Sequence, residues 1–155
     1  MADIAAFPDM GDNILIAGTN IQRYKAGAAI KKGQAVAIHG TGVNETVHPA
    51  VKGTTASVEG VALADAEQGE FVPVAGPGCV VLMANADNTT AIDAGSGVED
   101  NDNAVGGTIS ALPANSGKAT ADYANLVGVA IDDIPGNGVG RVRLLCSITC
   151  IPNAT

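Results

Sequence analysis

The chain has 155 residues and is 46 % hydrophobic, yet it holds two Phe, two Tyr and no Trp against 27 Ala and 20 Gly. This length fits one domain, or two small halves sharing a core, and excludes a cofactor domain joined to a substrate domain. Sixteen acidic against eight basic residues leave a net charge of −8, the wrong sign for a phosphate-binding surface, and no run approaches the ~20 apolar residues of a bilayer-spanning helix.

Neither nucleic acid nor a membrane is therefore expected as a partner. A core of Ala, Val, Ile and Leu buries little area per residue, which implies stability borrowed from neighbouring subunits. From the N-terminus, Met1 to Asp12 carries Asp3, Asp9 and Asp12 where a signal peptide would be basic, so the chain reads as cytosolically made. Residues 1–21, with Pro8, Gly11 and Gly18 among small apolar residues, read as an extended arm that ends in a strand, Ile14 to Ala17. Residues 22–155 then read as one all-β domain, because no window shows helical apolar periodicity while short apolar or alternating runs recur between Gly, Asn, Asp and Pro. These runs are Gln34 to His39, Val58 to Leu63, Phe71 to Val74, Val80 to Ala84, Leu126 to Ile131 and Val139 to Ile151. Within the last, Arg141-Val142-Arg143-Leu144 alternates strictly, which places both arginines on one face of a half-buried strand.

Sliding the sequence against itself gives an ungapped match at an offset of 68. Gly60-Val61-Ala62-Leu63 with Asp65 falls on Gly128-Val129-Ala130-Ile131 with Asp133, Val74 on Val142, and Ala26-Gly27 with Ile30 on Ala94-Gly95 with Val98. Two similar halves are expected, about 12–79 and 80–147. The second contains a long polar connection, 85–125, of a length expected to serve function or to pack on a neighbour; Ala119 to Leu126 could form one helical turn.

Chemistry-bearing residues are few. His39, Glu45 and His48 could form a metal trio, but the histidines lack the i, i+4 helical spacing of a zinc site, and surface or structural histidine is the expectation. Glu99-Asp100-Asn101-Asp102-Asn103 lacks the glycine and closing glutamate of a calcium loop and reads as a solvated acidic loop. Gly76-Pro77-Gly78 and Gly136-Asn137-Gly138 read as hairpin turns, since no helix follows to receive a phosphate. No serine sits in a nucleophile elbow. Cys146 and Cys150 on one strand would lie ~13 Å apart, too far to bridge, and with Cys79 they read as free thiols. The chain is thus expected not to be an enzyme and to need no cofactor or metal.

Ile30-Lys31-Lys32-Gly33-Gln34-Ala35-Val36 is similar to a strand-turn-strand of lipoyl and biotinyl carrier domains, although Ala50-Val51-Lys52-Gly53 lacks the residues that flank a carrier lysine. A carrier-like or ligand-binding β-barrel is the alternative reading. Val36-Ala37-Ile38, Gly60-Val61-Ala62-Leu63-Ala64-Asp65-Ala66 and Gly69-Glu70-Phe71-Val72-Pro73-Val74 together resemble the capsid cement or head decoration proteins of tailed phages. That resemblance implies a small β-barrel or β-sandwich, made in the host cytoplasm, that binds the outside of the assembled head and bridges major capsid proteins. It also implies a homotrimer or dimer. The arm and exposed strand residues would make the capsid or subunit contacts: Ile4, Phe7, Ile14, Ile16, Arg23, Tyr24, Arg141 and Arg143.

Overall fold

The computed structural model describes residues 7, 9–39, 46–50, 57–85, 89–101, 107–113 and 122–151. They form eleven strands and, among the described residues, no helix. In chain order these are β1 (Leu15–Ala17), β2 (Ile21–Lys25), β3 (Ala35–His39), β4 (Thr46–Pro49), β5 (Val58–Ala62), β6 (Phe71–Ala75), β7 (Val80–Ala84), β8 (Gly97–Asn101), β9 (Thr108–Ala111), β10 (Asp122–Ala130) and β11 (Val139–Ile151). Two antiparallel sheets result, ordered β1-β7-β11-β10-β8-β9 and β2-β6-β5-β3-β4. They share a buried apolar cluster and neither closes on itself, so the fold is a β-sandwich.

Two strands, β8 and β9, lie within the polar connection, where its composition signalled none. Leu126, the end of the expected helical turn, instead continues β10 opposite Ser147 of β11.

Setting β1 aside, the sheets are copies of one five-strand unit, β2–β6 and β7–β11, with the same strand order. Ala62 pairs with Val74 in one and Ala130 with Val142 in the other; Ala35 pairs with Val61, and Gly97 with Val129. The turn hydrogen bonds repeat as well. The Gly33 amide donates to the Ala62 carbonyl at 2.8 Å and the Gly95 amide to Ala130 at 2.7 Å; Ile30 and Ala66 exchange two such bonds, as do Ile92 and Ile134. These pairs correct the single offset of 68, which holds from β5 onward. Over the preceding turn the offset is 62, so that Ile30-Lys31-Lys32-Gly33 matches Ile92-Asp93-Ala94-Gly95 and not the Ala94-Gly95-Val98 stretch. The offset of 62 extends through β4 and β9, so the six-residue difference falls between β9 and β10.

The copies pack front to back. Ala35, Ala37, Val58, Val61 and Ala75 of the first share the main cluster with Val81, Met83, Val98, Ile109, Val127, Ala130, Val142 and Leu144 of the second. The first copy's counterparts of Val98, Ile109, Ala130 and Val142 are Val36, Val47, Ala62 and Val74, which lie in a separate cluster with Ala26, Ile30, Ala66 and Val72. Non-equivalent faces therefore meet. Phe7, Met10 and Ile14 also enter the main cluster. Gly33, at φ +94°, leaves room for Met10, whose Cγ would lie 2.8 Å from a Cβ placed there.

Candidate functional site

The residues expected to contact partners divide by burial. Ile4 lies outside the described residues. Phe7 and Ile14, 8 % and 1 % exposed, belong with Met10 to the chain's own core, so these side chains are built into the fold instead of reaching away on an arm. Ile16 remains 49 % exposed on β1, which pairs with β7 of the same chain. Arg23 is exposed on β2 with its guanidinium 5.7 Å from the ring centre of Phe71, itself 62 % exposed. Tyr24 is half-buried, and its hydroxyl donates to Gln22 Oε1 at 2.9 Å. These two side chains, with Asn20, Glu59, Val74 and Gly76, line a shallow cavity of about 100 Å³.

Arg141 and Arg143 are both exposed on β11, while Val142 and Leu144 between and beyond them are fully buried, as alternation requires. The two arginines differ in company. Arg141 grips Asp132 with Nε at 3.0 and 3.2 Å from the two carboxylate oxygens, an Nη–Oδ1 contact of 2.7 Å and its own amide at 3.0 Å. Those side-chain and backbone donors hold the Asp132 carboxyl at about 2, below its ordinary 3.8. A depressed native value contributes stability above the ordinary carboxylate range and loses it as pH falls towards 2. An NMR titration of the Asp132 carboxyl carbon is accordingly expected to give a midpoint about 2 that climbs back towards 3.8 in Arg141→Ala. A midpoint near 3.8 in the unmodified protein would show that the pair does not persist in solution.

Each copy keeps one carboxylate in its turn. Asp65 accepts the Lys32 amide at 2.9 Å and lies 3.4 Å from Lys31 Nζ, while Asp133 accepts the Ala94 amide at 2.8 Å. The Lys32 amide bond is the main cause that lowers the Asp65 value. These carboxylates fasten turns.

The acidic stretch at 99–101 corrects an expectation. Glu99, Asp100 and Asn101 are 2, 1 and 5 % exposed, because β8 is held between β10 and β9 and their side chains turn towards neighbouring polar groups. Asn125 Nδ2 donates to Asp100 Oδ2 at 3.3 Å, and Thr108 pairs across from Asn101. Nothing in a run of acidic residues signalled burial; the signal was Val98, a core residue immediately before them. Among the described residues no three His, Cys, Asp or Glu side chains come together as a metal site. His39 and His48 stand on adjacent strands, β3 and β4, and Glu45 lies outside the described residues. Cys79 and Cys146 are free thiols, and burial pushes Cys146 up to about 12. The lysine of the carrier-like motif, Lys52, lies outside the described residues.

No family model matches the sequence, and no curated protein matches it. Among solved structures, the chain is similar to the crystal structure of the head fiber gp8.5 N base of bacteriophage phi29. The TM-score is 0.57 at 14 % identity, covering 82 % of this chain and 94 % of that one. At this identity the likeness shows a shared fold.

Proposed function

We propose that this chain is a non-enzymatic structural protein of a bacteriophage head, displayed on the outside of the capsid as a cement or decoration protein that holds neighbouring major capsid proteins together. The observation that carries this reading is the fold likeness to a phage head-fiber base over 82 % of this chain and 94 % of that one. Independent support comes from the sequence, whose Gly60 to Ala66 and Gly69 to Val74 motifs resemble the decoration proteins of tailed phages. A net charge of −8, which disfavours contact with packaged DNA, fits the same role. Copies of the chain associate with one another, and repetition over the lattice turns weak single contacts into firm attachment. No cofactor is required.

The test is to mix the purified protein with heads that lack it and image them by electron cryomicroscopy. Added density at regular positions on the outer shell is the expected result. Heads that stay bare at protein concentrations well above the number of lattice sites would overturn the assignment.

A further inference from the structure

The front-to-back packing of the repeats leaves two faces that have no counterpart inside the chain. The first copy buries the face of Ala35, Val58, Val61 and Ala75 against the second; at the same positions the second copy presents Gly97, Leu126, Val129 and Arg143 outward. Leu126 and Val129 are half-buried, Leu112 lies beside Gly97, and Arg143 is exposed. The second copy, in turn, buries Val81, Met83, Val127 and Leu144 against the first. At those positions the first copy carries Gln22, Tyr24, Glu59 and Gly76, which line its shallow outer cavity.

The two faces complement each other in charge. Ala75 of the first copy and Val127 of the second lie on opposite sides of the internal joint, both inside the apolar cluster. The free faces place Arg143 and Glu59 there, one cationic and one anionic. Arg141, the other arginine of that face, already holds Asp132, which leaves Arg143 as its available cation among the described residues. A third repeat would meet either face in the geometry that the chain already uses once, and a second copy of the chain supplies such a repeat.

We propose that the outer face of the six-stranded sheet, around Leu126, Val129 and Arg143, docks the Gln22, Tyr24 and Glu59 face of a second copy, head to tail, repeating between chains the joint that unites the repeats within one. The contact is heterologous, so it closes into a ring or continues as a stack. This rests on the reading that copies associate, and adds which surfaces meet and with what polarity.

Sedimentation velocity on the full chain over a concentration series tests it, with circular dichroism to confirm folding. Glu59→Lys and Arg143→Glu should each weaken association about tenfold, by setting like charges across the joint. The double variant should recover it, and so should an equimolar mixture of the two single variants, because each then meets an opposite charge. Recovery separates a broken interface from a damaged fold. A wild-type protein that associates while both reversals leave it unaffected overturns the assigned surfaces and leaves self-association standing. A wild-type protein that stays monomeric at all concentrations overturns both.

Discussion

Replacing Leu144 with alanine is expected to lower the unfolding free energy by roughly 2–5 kcal/mol, the range for a leucine-sized void in a packed core. The side chain is fully buried in the cluster shared by both sheets, and its amide donates to the Cys79 carbonyl at 2.8 Å where β7 begins. The next residue is the control. Leu145 is 43 % exposed on the opposite face of β11, and Leu145→Ala should stay within about 0.5 kcal/mol. Urea denaturation of the pair measures both at once. Equal losses, or a loss at Leu145 alone, would mean that β11 has been placed on the wrong register.

Gly128→Ala should be comparably severe. A Cβ on Gly128 would run into the carbonyl oxygen of Arg143 and lie 2.9 Å from its carbonyl carbon, so the collision is with backbone of the neighbouring strand and no rotamer relieves it. Gly60 meets Ala75 in the same way in the first copy, which identifies the close approach as part of the repeated unit. A loss of about 3 kcal/mol is expected, seen as a fall in Tm of roughly 10 °C for a chain of this size. Gly69→Asn is the matched comparison. Gly69 sits at φ +91° with open space around it, and its counterpart in the second copy is already an asparagine, Asn137 at φ +56°. Asparagine tolerates that region, so the substitution should leave Tm nearly unchanged. Similar falls for Gly128→Ala and Gly69→Asn would show that backbone freedom and not strand proximity governs these glycines.

Sequence reasoning succeeded where a strand carries its own signal. Val80–Ala84, Val58–Ala62 and Val139–Ile151 are apolar or alternating because each presents a face to the shared core, and Phe71–Ala75 because Val72 and Val74 face the separate cluster of the five-stranded sheet. It missed Ile21–Lys25, where Ile21, Gln22 and Arg23 are all exposed on an edge strand and no alternation survives. It missed Thr46–Pro49 for a related reason: an edge strand can be short and can end in proline. Gly97–Asn101 was hidden by its chemistry, since a run of Glu, Asp and Asn looks like a solvated loop in sequence even where, as at Asp100 with Asn125, it is buried against polar partners. The repeat was legible from Gly60 onward and misread before it, because an ungapped comparison cannot shift by six residues to bring Ile92 and Gly95 under Ile30 and Gly33. Of the candidate contact residues, alternation placed Arg141 and Arg143 outward, whereas Phe7 and Ile14 were taken for partner anchors because scattered Gly and Pro disguised their inward packing.

Placement of β1 on the far side of β7 sets an order on biosynthesis. Leu15 pairs with Val81 and Ala17 with Val80, so β1 leaves the ribosome well before β7, its neighbour in the sheet, has emerged. The five-stranded sheet, drawn wholly from Ile21 to Ala75, can form during that wait. Nascent Ile14, Leu15 and Ile16 meanwhile travel unprotected, and that stretch of translation is when the chain is most open to chaperone capture or to mispairing with a sister polypeptide.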